Sequence, residues 1–181
     1  MLKEGHFGLS IALAMPFAII AGVLIHKALI PVIITGTLIG GNLPDMDTKT
    51  WIVKHRGFTH TIWFAGLAGG IATITLVMMY QYIPIEQYNI VPNSLYLIGS
   101  FLFGLSVTYG VLTHLLGDMI TPRGIRPLDP ISPREFIPIT ISDKKIVYEI
   151  RNASDPWLNK GFSLLGVIAV VATSYVFTTT L

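Results

Sequence analysis

The sequence predicts an all-α integral membrane protein, with about five transmembrane helices and a small cytoplasmic β-hairpin between the fourth and the fifth. Three observations predict it. Hydrophobic residues make up 52% of the chain and charged ones 12%, half the charge of a soluble domain at about 25%. Five apolar runs are separated by polar breaks, and a bilayer core asks for about 20 apolar residues per crossing helix. Counted as crossings, these runs put eleven of the twelve lysines and arginines on one side, the asymmetry that marks a cytoplasmic face. Residues 1–181 read as a single membrane domain.

The first run, Phe7 to Ile25, is broken only by Ser10 and Pro16. No small-residue cleavage site leads from it into a soluble domain, so it reads as a retained span. Ala28 to Leu43 is apolar but short. Its 16 residues cover roughly 24 Å at 1.5 Å per residue, less than a core of about 30 Å. Such a segment tilts little, sits against thicker neighbours, or is re-entrant. Gly36, Gly40 and Gly41 would let it pack closely on a neighbour. A polar loop, residues 48–60, leads to Thr61–Ile83, and a short loop leads to Ser94–Leu116. Residues 119–160 form the one sizeable polar stretch. Prolines at 122, 127, 130, 133 and 138 exclude a long helix over its first half. Ile137, Ile139 and Ile141 alternate with other residues, as do Ile146, Tyr148 and Ile150, and Ser-Asp-Lys-Lys lies between them. That pattern predicts a β-hairpin at 137–150. Gly161 to Leu181 is the last apolar run.

With five crossings, only Lys27 falls opposite the N-terminal side. The N-terminus and the 119–160 loop are therefore expected in the cytoplasm and the C-terminus outside, in a multi-pass protein of the cell inner (plasma) membrane. No cysteine is present, so disulfides and thiolate metal sites are excluded. A net charge of +2 gives no reason to expect direct contact with nucleic acid.

The same count gathers the ionisable residues. His6, Asp45, Asp47, His55, His60, His114 and Asp118 all fall at span ends on the N-terminal side, whereas His26 falls opposite. His114 and Asp118 are four apart, so a helix stacks them on one face, where an imidazole and a carboxylate can hold one ion. Pro44-Asp45-Met46-Asp47 offers two carboxylates from an extended turn, able to chelate one ion or bridge two. His55 and His60 are five apart with Gly57 between them. Mixed nitrogen and oxygen donors suit Zn, Mn, Fe or Ni better than Ca. Arg56, Arg123 and Arg126 could neutralise phosphate oxygens. Plainer roles stand beside these: His6 as an interfacial side chain, the Asp turn as a helix cap, Arg56 as a partner of Asp45 or of lipid headgroups, and Arg123 and Arg126 as cytoplasmic anchors.

At Leu43-Pro44-Asp45-Met46-Asp47, His55-Arg56-Gly57-Phe58-Thr59-His60 and His114-Leu115-Leu116-Gly117-Asp118 with Thr121-Pro122-Arg123-Gly124, and with a histidine ahead of the first span, the chain resembles the membrane-bound metal-dependent hydrolases of the YdjM type, some of them called LexA-binding. The resemblance covers residues 5 to about 126 and, more loosely, the rest. The Pro-Asp and His-x-x-x-Asp elements are also similar to zinc-dependent phospholipase C and related zinc nucleases. Those enzymes carry further histidines after that element; this chain has none after His114, which favours one or two ions over three.

These features point to two readings. The first is a membrane metallohydrolase acting on a phosphoester, such as a phospholipid or lipid-linked phosphate, at the cytoplasmic interface. In it His6, Asp45, Asp47, His55, His60, His114 and Asp118 hold one or two divalent ions, zinc first with Mn or Fe as alternatives. Asp45 or Asp47 serves as base, and Arg56 and Arg123 hold the phosphate. The second is a non-enzymatic membrane protein, either a regulatory anchor for a soluble protein partner or a small transporter. Transport sites lie near the midplane, yet Thr61–Ile83 and Ser94–Thr113 contain no Asp, Glu, Lys, Arg or His.

The charge asymmetry yields a direct test of topology. Reporter fusions at Lys145 and Leu181 are expected to report opposite compartments, with Lys145 inside; the same compartment for both would rule out the five-span arrangement.

Overall fold

A chain in hydrocarbon must satisfy its own backbone donors and acceptors, and a single segment does so only as a helix. The computed structural model describes residues 3–49, 57–82, 92–119, 125–131 and 156–180. They form five long helices: α1 (Lys3–Leu24), α2 (Leu29–Asn42), α3 (Ile62–Tyr82), α4 (Asn93–Met119) and α5 (Pro156–Thr180). Short 3-10 turns occupy Pro44–Lys49 and Phe58–His60. Four segments, Glu4–Leu24, Leu29–Asp47, Ile62–Tyr80 and Asn93–Met119, are long and apolar enough to cross a membrane. The sequence reading expects about five crossings, and α5 is the helix outside that set. No strand occurs among the described residues, and the expected hairpin at 137–150 lies outside them.

The helix ends follow local chemistry. Thr61 caps α3: its hydroxyl accepts from the Phe64 N–H at 3.2 Å and donates to the Phe58 carbonyl at 2.7 Å. Pro44 has no N–H to continue the α2 ladder, and the backbone tightens into the 3-10 turn that follows. This turn answers the question of length. The 14 residues of α2 cover only about 21 Å, and the turn prolongs the apolar segment to Asp47. Two boundaries differ from the sequence reading. Helix α1 starts at Lys3, so His6 lies inside it, and α5 starts at Pro156, inside the stretch read as loop.

Helix α4 packs against α2 and α3, and α1 packs against α2, α4 and α5. Small residues permit the tightest of these contacts. A Cβ on Gly40 would run into the Val107 carbonyl, and one on Gly110 into the Thr37 carbonyl. Side-chain hydrogen bonds cross the same seams. Tyr109 Oη donates to the Leu13 carbonyl at 3.2 Å, Thr108 Oγ1 to the Ala65 carbonyl at 3.2 Å, and the hydroxyls of Ser10 and Thr113 pair at 2.9 Å. Each such bond contributes on average about 0.6 kcal/mol within a membrane.

One apolar cluster, Ala18, Ala21, Leu29, Ile30 and Ile33, fills the bundle at the α1–α2 connection. A second, Ala65, Val111, Leu115 and Ile125, fills the opposite end. Outward faces are also apolar, with Leu67, Ile71, Ile74 and Met78 exposed on α3 and Leu164, Val167, Ile168 and Val171 on α5. So much exposed hydrocarbon fits lipid as the surrounding solvent.

Helices α1 and α5 run parallel. A Cβ on Gly8 would meet the Phe162 backbone, and further along, Thr173 Oγ1 donates to Met15 Sδ at 2.9 Å. The starts of α1, α3 and α5 and the ends of α2 and α4 therefore share one end of the bundle.

The close contacts set up an internal comparison. Gly40→Ala pushes a methyl group into a main-chain oxygen, and is expected to lower stability in detergent by about 1–3 kcal/mol, the usual cost of overpacking. At Gly70 nothing lies within 4 Å of the added Cβ, so Gly70→Ala is expected to be neutral or to stabilise by up to about 1 kcal/mol. Thermal unfolding of the purified variants measures both.

Candidate metal centre

The shared helix end collects the ionisable side chains. His6 comes from the first turns of α1, Asp45 and Asp47 from the 3-10 turn after α2, His60 from the turn before α3, and His114 and Asp118 from the last turns of α4. His6, Asp47, His60, His114 and Asp118 are all buried, none more than 4% exposed. Asp45 is the open member, with 29% of its side chain exposed.

Asp118 is the hub. Its Oδ1 lies 3.3 Å from His6 Nε2, and its Oδ2 lies 3.4 Å from His60 Nε2 and 3.7 Å from His114 Nε2. His114 Nε2 also lies 3.6 Å from Asp45 Oδ1. The rings of His6 and His114 stack at 4.0 Å with 8° between their planes, and His60 meets His114 edge to face at 5.4 Å.

These separations are a test of fit for a metal. Four ligands about 2.0–2.1 Å from one tetrahedral ion lie about 3.3–3.4 Å from one another, whereas hydrogen-bonded nitrogen and oxygen sit at about 2.7–3.2 Å. The imidazole–carboxylate distances, 3.3–3.7 Å, lie at or somewhat beyond the longer spacing. His6 Nδ1 and His114 Nε2 are buried and make no hydrogen bond. The donors form two groups able to hold an ion, His6–His114–Asp118 and Asp45–His60–His114, with the ligand atoms of each within 4.8 Å of one another.

The two groups share His114, and a main-chain contact limits what that ring can do. Its Nδ1 lies 2.8 Å from the Gly41 carbonyl. A carbonyl only accepts, so Nδ1 carries the hydrogen and Nε2 is the atom turned to the carboxylates. One lone pair serves one ion, so the two groups are alternative halves of one centre and not two independent sites.

The sequence-predicted residues thus divide. His6, Asp45, His60, His114 and Asp118 converge as expected. Asp47 is beside them but belongs to neither group. The expected extended turn is a 3-10 turn, in which residues two apart point about 120° away from each other. Asp45 accordingly faces His114 while Asp47 faces His60, at 3.4 Å from its Nδ1. His55, Arg56 and Arg123 lie outside the described residues. Two features had no role assigned from the sequence: the Gly41 carbonyl, which leaves no mark in a sequence, and Thr59, whose hydroxyl lies 2.7 Å from Asp47 Oδ2 and 3.1 Å from His60 Nδ1. A hydroxyl adjoining a candidate ligand histidine was the available signal for Thr59.

A family profile described as YdjM inner membrane protein matches residues 1–180. The chain belongs to this family. Inner membrane protein YdjM of Escherichia coli K12 is 30% identical over 167 residues, spanning 80% of this chain and 73% of the relative. The Shigella flexneri protein of the same name matches to the same extent. No solved structure matches the chain. A bundle with four apolar helices of crossing length, in a family of inner membrane proteins, is an inner-membrane protein.

Loss of the donor shared by both groups, or of the carboxylate nearest all three imidazoles, should weaken metal binding strongly. His114→Ala and Asp118→Ala are each expected to reduce zinc affinity by more than the 10–100-fold typical of outer-shell changes. His26→Ala, at the far end of the bundle, should leave it unchanged. Equilibrium dialysis of detergent-purified protein against buffered zinc measures all of these.

Proposed function

We propose that this YdjM-family protein is a metal-dependent hydrolase of a lipid-borne phosphoester, with its site at the cytoplasmic face of the inner membrane. The observation that carries the reading is the convergence of imidazole and carboxylate atoms from four different helix ends into two overlapping groups, each compact enough for an ion. The charge asymmetry supports a cytoplasmic N-terminus, and α5, with its apolar exposed face, serves as the fifth crossing.

Zinc suits the donor set best, with Mn or Fe as alternatives, as one or two ions. A bound ion supplies Lewis acidity, easing the ionisation of water and offsetting charge on phosphoryl oxygens. The residues divide the remaining work. His114 would hold the ion with His6 and Asp118 on one side or with His60 on the other, and being buried these residues exclude bulk water. Asp45, the exposed carboxylate, faces the opening and accepts the proton from the attacking water. Arg56 and Arg123, assigned from the sequence, bind the phosphate.

A lipid substrate is favoured by a groove of about 280 Å³ between α1, α2 and α4. Ala14, Phe17, Leu105 and Tyr109 line it, and so does Thr37, one helical turn from Gly41. An acyl chain lying there would bring its headgroup toward the ions.

One observation favours a second reading. Structural metal sites are closed, whereas catalytic sites keep a position open, and here only Asp45 is appreciably exposed. A closed ion would pin four helix ends together in a non-enzymatic anchor for a protein partner.

Turnover separates the two. Zinc- or manganese-loaded protein in mixed micelles is expected to release product from phosphatidic acid, phosphatidylglycerol or a polyprenyl phosphate. Asp45→Asn should lower kcat by at least about 10²-fold, the usual scale for a general base. Stoichiometric metal with no hydrolysis of any of these lipids would favour the anchor.

A further inference from the structure

We propose that Asp47 and Thr59 form a clasp that positions His60 for the metal, and that Asp47 is not itself a ligand. This assignment rests on the metal-binding reading of the site and refines it.

The Thr59 hydroxyl carries one hydrogen, and the Asp47 carboxylate only accepts, so the 2.7 Å contact spends that hydrogen on Asp47 Oδ2. Toward His60 Nδ1, 3.1 Å away, the same oxygen is then an acceptor. His60 Nδ1 therefore carries its hydrogen and donates it to Thr59 Oγ1, with the Asp47 carboxylate close behind, its Oδ2 3.4 Å from the same nitrogen. The opposite nitrogen, Nε2, is the one that faces Asp118 Oδ2. A carboxylate behind a ligand histidine fixes its tautomer and ring plane and raises its basicity. The Asp47 and His60 side chains are fully buried, so water does not substitute for the clasp. The 3-10 turn explains the division of labour within Asp45-Met46-Asp47: one carboxylate faces the ion side and the other the back of His60.

The clasp plays the part for His60 that the Gly41 carbonyl plays for His114. Two ligand histidines are thus held through Nδ1, one by main chain and one by side chains. Only the second can be removed by substitution.

The test uses full-length protein in detergent, with zinc affinity and the absorption spectrum of the Co²⁺-substituted protein as readouts. Thr59→Val removes the hydroxyl at nearly constant shape, Thr59→Ser restores it, and Asp47→Ala removes the carboxylate. Thr59→Val and Asp47→Ala are each expected to weaken zinc binding by about 10–100-fold. The double variant should be no weaker than the more affected single one, because both changes break one unit. Thr59→Ser should bind close to wild type, and the Co²⁺ bands should keep their four-coordinate intensity in Thr59→Val. Size-exclusion profiles matching wild type show that each variant is folded. Should Asp47→Ala abolish binding while Thr59→Val binds like wild type, Asp47 is a direct ligand and the proposal is overturned. Losses that multiply in the double variant overturn it too. Wild-type protein that binds neither Zn²⁺ nor Co²⁺ would overturn both this assignment and the hydrolase reading, whereas the other two results leave that reading standing.

Discussion

The approach of α2 to α4 is the constraint on which the rest depends. Their backbones come so close at Gly40 and Gly110 that neither position has room for a side chain. That proximity lets a histidine on α4 reach a carbonyl at the end of α2. With His114 fixed by its Nδ1, its Nε2, the stacked His6 ring and the Asp45 carboxylate all take their places around it. Weak interactions thus set a demanding geometry, because packing in a membrane gains little from apolar burial and draws on close contact and internal hydrogen bonds.

Electrostatics makes the same point from the other direction. Three carboxylates and three imidazoles meet at the end of a bundle whose walls are hydrocarbon. Ionised groups are costly in such surroundings unless opposite charge and hydrogen bonds compensate. The imidazoles supply part of that compensation, and a divalent cation would supply much more. A site of this kind is a poor choice for stability alone, since apolar residues would pack with less penalty.

Much of this was legible in the sequence, for identifiable reasons. Hydrocarbon leaves one option for a spanning segment, so the long apolar runs became α1 to α4 with boundaries shifted by a few residues. The i,i+4 relation of His114 and Asp118 is a property of any helix and survived intact. The Asp45-x-Asp47 pair did not survive as read, because Pro44 changes the local winding and turns the two carboxylates apart. The polar stretch was carried to Lys160 by its polar residues, which hid the start of α5 at Pro156. Side-chain patterns cannot report a main-chain acceptor, so the anchor of His114 was beyond reach. Thr59 was in view as a neighbour of His60, but its orientation is a tertiary fact.

The parallel contact between α1 and α5 has a consequence for assembly. Thr173 and Met15 are 158 residues apart in the chain, and a ribosome adds roughly 5–20 residues each second. Helix α1, which carries His6, therefore waits roughly 8–30 s for its outer partner. Before that interval ends α2, α3 and α4 can already be in the bilayer, with His60, His114 and Asp118 in place. The N-terminal histidine is synthesised first, yet its helix is the last to gain a full set of neighbours.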